Sequence, residues 1–183
     1  MQQQSIDTLI AFMNSHHDDD VEDGFASPRL AKQQLIALGL AKRSLKVTAD
    51  DALLLQRVRD ALNGLLPGSY VAAPVTFDEA AAGLTLELRF NDRERRTALA
   101  GATPNVPGIA ARMLALAHDA ITDGSWDRLK TCGNKDDCRW VFFDRSKNHS
   151  RVWCDMTTCG AEAKSRAFRA RQRERRARAE RSS

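Results

Sequence analysis

All four cysteines of the chain fall inside one 28-residue window, from Cys132 to Cys159. They form two close pairs: five residues separate Cys132 from Cys138, four separate Cys154 from Cys159, and 15 lie between the pairs. Each pair can present two thiolates from a small turn, and the intervening loop can fold back to bring the pairs together. A tetrahedral four-thiolate zinc site asks for this arrangement. The alternatives are two disulfides or four unrelated buried thiols. The N-terminus, Met1-Gln2-Gln3-Gln4, has no basic stretch followed by an apolar run. A secretory signal is therefore not evident, a soluble cytoplasmic protein is expected, and disulfides are disfavoured there. His149 lies in the same window, but four cysteines already complete a site, and it reads as a surface histidine. The expectation is one zinc per chain on Cys132, Cys138, Cys154 and Cys159.

Charge divides the chain at the same place. Residues 1–125 carry 12 Lys and Arg against 16 Asp and Glu, whereas residues 126–183 carry 16 against 8. The last 20 residues alone hold 9 basic and 2 acidic side chains. Such asymmetry suits an appendage that meets a polyanion, or a tail that only keeps the chain soluble. With 183 residues and 43% apolar content, the chain can build one medium domain plus a small module. No stretch approaches the roughly 18 unbroken apolar residues of a membrane span, so no membrane partner is expected.

The expected fold class is α+β. A mainly helical N-terminal domain over 1–125, with a small strand pair, precedes a four-cysteine module over 126–183 that ends in a basic helix. In Ser5 to Asn14, Ile6, Leu9, Ile10 and Met13 recur at helical spacing. His16-His17-Asp18-Asp19-Asp20 has metal-binding side chains, but consecutive residues in an acidic loop read as simply solvated. Ser27 and Pro28 suit the N-cap and first turn of a second helix, which carries Leu30, Leu35, Ile36 and Leu38 and stops at Gly39. Thr48 and Asp51 resemble a capping box that opens a helix over 49–64, with Leu53, Leu54, Val58, Ala61 and Leu62 expected to be buried. Tyr70 to Phe77 and Leu84 to Phe90 are β-prone. Leu84, Leu86, Leu88 and Phe90 alternate with polar residues, as a half-buried strand should. Asp78 to Gly83 reads as a turn or one helical turn, Gly101 to Gly108 as a loop, and Pro107 opens a helix to about Thr122.

After Gly124 the composition shifts: Trp126, Trp140, Phe142, Phe143, Trp153 and Phe168 are 6 of the 11 aromatics. Large rings packed beside a metal help a small module that cannot bury enough surface alone; the same rings could instead stack nucleobases. Arg139 to Phe143 reads as a strand, with Arg151-Val152-Trp153 as its partner and Ser146-Lys147-Asn148 as the turn. From Gly160 to about Arg178, alanine and arginine favour a helix. At about 100° per residue, Arg166, Arg169, Arg173 and Arg176 share one face, and Lys164, Arg171, Arg175 and Arg178 lie nearly opposite. Phe168 is its one large apolar residue, so only the first turns can dock. The rest is expected to fray when free and to order on a phosphate backbone.

Leu129-Lys130-Thr131-Cys132, Arg139-Trp140-Val141-Phe142-Phe143-Asp144, Ser146-Lys147-Asn148, Trp153-Cys154-Asp155-Met156 and Cys159-Gly160 together resemble the CGNR zinc-finger family. The resemblance spans about 50 residues with the basic helix, and it implies a bacterial transcription regulator whose finger binds DNA. It also implies an N-terminal ABATE domain, found in stress-induced transcription regulators. Phe12-Met13-Asn14-Ser15, Ser27-Pro28-Arg29-Leu30 and Leu38-Gly39-Leu40 are similar to that domain. Two departures stand out. The naming motif reads Cys159-Gly160-Ala161-Glu162, so Ala and Glu replace the family's Asn and Arg. The first cysteine pair also encloses five residues where four are usual.

The functional expectation is a zinc-dependent DNA-binding regulator, with residues 1–125 sensing a small-molecule signal or mediating homodimerisation. Lys164, Arg166, Arg169, Arg171, Arg173, Arg175, Arg176 and Arg178 are the candidate nucleic-acid contacts. The competing reading is a zinc-stabilised RNA-binding or protein-interaction module. An enzyme is not expected. Four thiolates leave a zinc no open position, the zinc-deaminase pattern is absent, and the carboxylates of Glu79, Glu87, Asp92 and Glu94 have no identifiable partner.

Overall fold

The computed structural model describes residues 3–16, 22–69, 75–91, 96–135 and 137–181. Six α-helices and two antiparallel strand pairs alternate along the chain: α1 (Gln3–Met13), α2 (Pro28–Ala37), α3 (Ala49–Gly64), α4 (Phe77–Ala81), β1 (Leu86–Asn91), β2 (Arg96–Gly101), α5 (Val106–Thr122), β3 (Leu129–Thr131), β4 (Val141–Phe143) and α6 (Ala161–Arg181). The α+β class read from the sequence is what the chain adopts.

Helix starts follow local chemistry. Ser27 accepts a hydrogen bond from the Leu30 amide, and Thr48 and Asp51 form a reciprocal capping box. Asn105 caps α5 through the Gly108 amide, with Pro107 in the first turn. Helices α1, α3 and α5 then pack on one another, and α2 and α4 flank α3. Ile6, Leu9, Phe12 and Met13 of α1 are all buried. Phe12 meets Phe25 with ring centroids 5.2 Å apart. In α5, Val106, Ile109, Ala110, Met113, Leu114 and Ala117 form the inner stripe.

Of the α3 residues expected to be buried, Val58, Ala61 and Leu62 are, and Leu54 packs half-buried against the core, but Leu53 is 55% exposed and the fully buried Leu55 takes its place. The step from 55 to 58, 59 and 62 keeps one face inward, and its polar member is Arg59. Only 3% exposed, Arg59 pairs with Asp23 at 2.5 Å and Asp60 at 2.9 Å, and it lies over the Phe25 ring. Asp23 also accepts hydrogen bonds from the Phe25 amide and Gln56. Burial opposes the Asp23 charge, but the Arg59 hydrogen bond and the Phe25 amide outweigh it and hold its carboxyl below the ordinary range.

The N-terminal strand pair exists but is composed differently. Strand β1 pairs with β2, from Leu86 opposite Gly101 to Asn91 opposite Arg96. The expected partner, Tyr70 to Phe77, contributes Phe77 to α4, and its residues 70–74 lie outside the described residues. A local hairpin needs little loop closure, and β2 is alanine-rich, without the alternation that marks a strand. Leu86, Leu88 and Phe90 are exposed, not half-buried. Strand β2 instead lies close against α5, where a Cβ on Gly101 would come 2.0 Å from the Gly108 carbonyl oxygen.

The second pair is β3 with β4, Leu129 opposite Phe143 and Thr131 opposite Val141. Arg151-Val152-Trp153, expected to pair with β4, is an irregular segment. Leu129 and Val141 join the same buried cluster as the α1, α3 and α5 side chains. Asn14, just beyond α1, donates from Nδ2 to the Val141 carbonyl (2.9 Å) and accepts the Val141 amide (2.7 Å). Its side chain thus acts as a one-residue extension of the ladder, tying the helical body to the cysteine end. Of the acidic loop at 16–20, His17 to Asp20 lie outside the described residues.

Candidate metal centre

Strand β3 ends just before Cys132, whose amide donates to the Trp140 carbonyl (2.9 Å) and so carries the pairing with β4 one residue further. The next amide, Gly133, donates to Val152 O (2.8 Å), and a Cβ there would come 2.5 Å from the Val152 side chain. Only glycine lets the two loops approach this closely. Asn134 O accepts the amides of Asp137 and Cys138, forming the turn that returns Cys138 towards Cys132. Of the second pair, Cys154 lies just before, and Cys159 within, a π-helical turn, Met156–Gly160, that runs directly into α6. Asp155 caps this turn, accepting the amides of Thr157 (2.7 Å) and Thr158 (2.9 Å). Hydrogen bonds from the Thr157 side chain and both amides lower the Asp155 pKa to about 2.

These two turns bring all four sulfurs within 4.8 Å of one another. Sγ of Cys154 lies 3.7 Å from Cys138 and 3.6 Å from Cys159. Four sulfurs about 2.3 Å from one zinc stand about 3.8 Å apart at tetrahedral geometry. The separations fit that tetrahedron and are far too long for disulfides, and all four cysteines are free. Cys132 and Cys159 are buried. Burial raises the Cys138 thiol to about 12 and raises Cys154 as well, with the neighbouring Cys132 charge adding to both. Burial works on Cys132 in the same direction, but the Cys154 and Asn134 amides outweigh it, and its pKa falls. Four clustered thiols of this kind ionise together only around a cation. The donor set therefore fits a zinc site, with Cys132, Cys138, Cys154 and Cys159 as the ligands. His149 is exposed, at φ 49°, and its backbone makes its contacts, the carbonyl accepting Lys130 and the amide donating to Ser146 O.

A polar hub that the sequence reading passed over holds the connection between the pairs. The Asp144 side chain is fully buried. It accepts Lys130 Nζ (2.6 Å), the Ser146 amide and hydroxyl (2.9 and 2.6 Å) and the Arg151 amide (2.9 Å). Lys130 also donates to the carbonyls of His149 and Arg151. Burial would raise the Asp144 pKa, but these donors win and hold its carboxyl far below the ordinary range. The Arg151 guanidinium in turn bonds the Trp153 and Cys154 carbonyls and lies 5.1 Å from the Phe142 ring centroid. In sequence, Asp144 is one carboxylate among 24 acidic side chains. Only its position after a strand, two residues before a serine, hinted at a capping role.

The aromatic rings divide by task. Phe142 is buried, and Trp126 and Phe143 pack against the core. Trp153 underlies Gly160 and has Lys164 Nζ 5.9 Å from its ring. Phe168, by contrast, is 56% exposed. Helix α6 is anchored at its start. Arg166 forms an ion pair with Asp137, and Glu162 accepts a hydrogen bond from Asn134 (3.0 Å). Of the candidate nucleic-acid contacts, Lys164 and Arg166 thus lie against the cysteine loops. Arg169, Arg171, Arg173, Arg175 and Arg178 are exposed on the free length of the helix. The Arg176 side chain lies outside those described, as do Asp92 and Glu94. Glu79 is occupied in a capping box with Thr76, and Glu87 pairs with Arg89.

A cleft of about 510 Å³ runs between the end of α3 and the cysteine loops, lined by Leu65, Pro67, Trp126, Thr131, Gly133 and Val152 among others. No helix among the described residues is long and apolar enough to cross a membrane. No curated protein matches the chain. The cysteine geometry has a counterpart in a known family nonetheless: residues 128–172, from the start of β3 into α6, match the model of the CGNR zinc finger.

Proposed function

We propose that the protein is a zinc-dependent DNA-binding transcription regulator of the stress-response type, in which the cysteine centre fixes the root of α6 and α6 engages duplex DNA. The carrying observation is the free length of α6, where exposed arginines surround the helix beyond its anchored first turns. Each arginine that meets a phosphate releases condensed counterions, which supplies affinity without reading sequence. The similarity of residues 128–172 to a zinc finger supports the same reading. Residues 1–125 act as the sensing or association part, and the cleft beside Trp126 is suited to a small-molecule signal because it touches both the α3 end and the cysteine loops. The role is binding and not catalysis, since four thiolates fill a tetrahedral zinc.

Titration of duplex DNA across a salt series tests this reading. Arg169→Ala with Arg173→Ala should reduce the slope of log affinity against log salt by about 2. Truncation after Ala163 should abolish most binding, and unchanged affinity would remove α6 from the mechanism. Tighter binding to single-stranded RNA than to duplex would favour the RNA-binding alternative. Glu162→Arg tests the departure from the family: it adds a positive charge but gives up the Asn134 hydrogen bond, so any gain in affinity comes with a looser helix root.

A further inference from the structure

We propose that the outer edge of β1 is a self-association surface, on which a second copy of the chain extends the sheet by antiparallel pairing about a two-fold axis at Leu88. Strands β1 and β2 form a two-stranded sheet, so the far edge of β1 has no strand partner among the described residues. The direction of its backbone groups follows from the ladder. The Ala102 amide donates to Thr85 O, so the Thr85 carbonyl points at β2. By the alternation of an antiparallel pair, the amides and carbonyls of Glu87 and Arg89 also face β2, and those of Leu86, Leu88 and Phe90 face outward. These three residues are the exposed apolar ones, and Phe90 at 71% is the most exposed large apolar side chain described. An open edge combined with an exposed apolar row is a template for pairing.

The order of side chains names the partner. Leu86-Glu87-Leu88-Arg89-Phe90 is chemically self-complementary when reversed about its centre. Antiparallel pairing about Leu88 sets Leu88 opposite Leu88, Leu86 opposite Phe90, and Glu87 opposite Arg89 twice. It places all three outward-facing residues in hydrogen-bonded positions, giving about six hydrogen bonds between copies. Shifting the centre to Glu87 or Arg89 sets like charges opposite each other, and so does parallel pairing in register, which cross-strand energetics disfavours. The sequence order therefore selects both the occupant and its register. This surface lies apart from α6 and does not depend on the DNA-binding reading.

Sedimentation of the full chain over a concentration series is the test. The unaltered protein should dimerise. Glu87→Arg, which sets arginine opposite Arg89 of the other copy, should shift the chain to monomer, with dimer affinity reduced at least about 10-fold. Glu87→Arg combined with Arg89→Glu restores opposite charges and should restore the dimer. Both side chains are half-exposed, so circular dichroism should show an unchanged fold. Leu88→Pro removes an outward-facing amide and should also give monomer. A monomeric unaltered chain, a dimer indifferent to Glu87→Arg, or a double variant that stays monomeric overturns the proposal.

Discussion

Leu9, Phe12, Leu35, Leu55, Leu62 and Met113 are all fully buried in the helical body, whereas the stretch from Cys132 to Cys159 buries Val141, Phe142 and two cysteines as its apolar share. The body is held by apolar area removed from water, at about 25 cal/mol per Å². The cysteine end substitutes directional bonds: a short ladder, the Asp144 hub, capped turns and a four-sulfur centre. Burial is tolerant of small shifts, but directional bonds fail together when one anchor is lost. The two regions should therefore respond differently to the same perturbation.

Metal removal should separate them most sharply. Structural zinc sites bind with about 10–16 kcal/mol of apparent free energy, which is also folding free energy for the loops that form them. Chelation, or Ser at any of Cys132, Cys138, Cys154 or Cys159, should abolish hydrogen-exchange protection across residues 132–160 and leave α3 and α5 protected. Metal analysis of the unaltered chain should return one zinc per chain. Protection that survives chelation would mean that the polar hub alone suffices.

Asp144→Ala comes next. It leaves Lys130 without its counter-charge and the Ser146 and Arg151 amides without their acceptor, at a cost of about 3–5 kcal/mol measured by denaturant unfolding. Zinc affinity should fall with it, because Arg151 positions the Cys154 carbonyl. In the body, Leu55→Ala should cost about 3 kcal/mol with metal content unchanged, while Leu53→Ala should stay within about 0.5 kcal/mol. Equal effects at the two leucines would contradict the observed burial of Leu55 and exposure of Leu53.

A smaller loss than at Leu55 concerns acid stability. The folded pKa of Asp23 is depressed, so its contribution is complete above the unfolded value of about 3.9 and is lost as pH falls through the folded one. Asp23→Asn should lower stability at neutral pH by about 1–2 kcal/mol and flatten the acid limb of the stability curve. A parallel limb in the variant would assign acid sensitivity to other groups.

Much of the local structure was legible because its causes lie within a few residues of each other. The caps at Ser27 and Thr48, the helix opened at Pro107 and the single helical turn after Thr76 all depend on side chains about three positions from the backbone groups they satisfy. The cluster of four cysteines was legible for a related reason, since such clustering has few structural explanations. The hairpin partner was not legible. Arg96 to Gly101 carries no alternating pattern, and its pairing is decided by the close fit of Gly101 on Gly108.

Sequence alone thus determined the α+β class, most helix boundaries, the sulfur quartet and the basic terminal helix, all of them products of composition and short-range spacing. Tertiary structure decided that Leu55 and not Leu53 completes the inward face of α3, that β4 pairs with β3 and not with the Arg151 segment, and that Asn14 clasps Val141 across 127 positions. It also decided that Asp144 gathers Lys130, Ser146 and Arg151. The Asn14 clasp joins groups far apart in the chain, and the Asp144 hub joins groups drawn from a strand and the loop beyond it. The stability of both comes from excluding water once the core has closed. No local pattern encodes that closure. It exists only when the whole chain has folded around it.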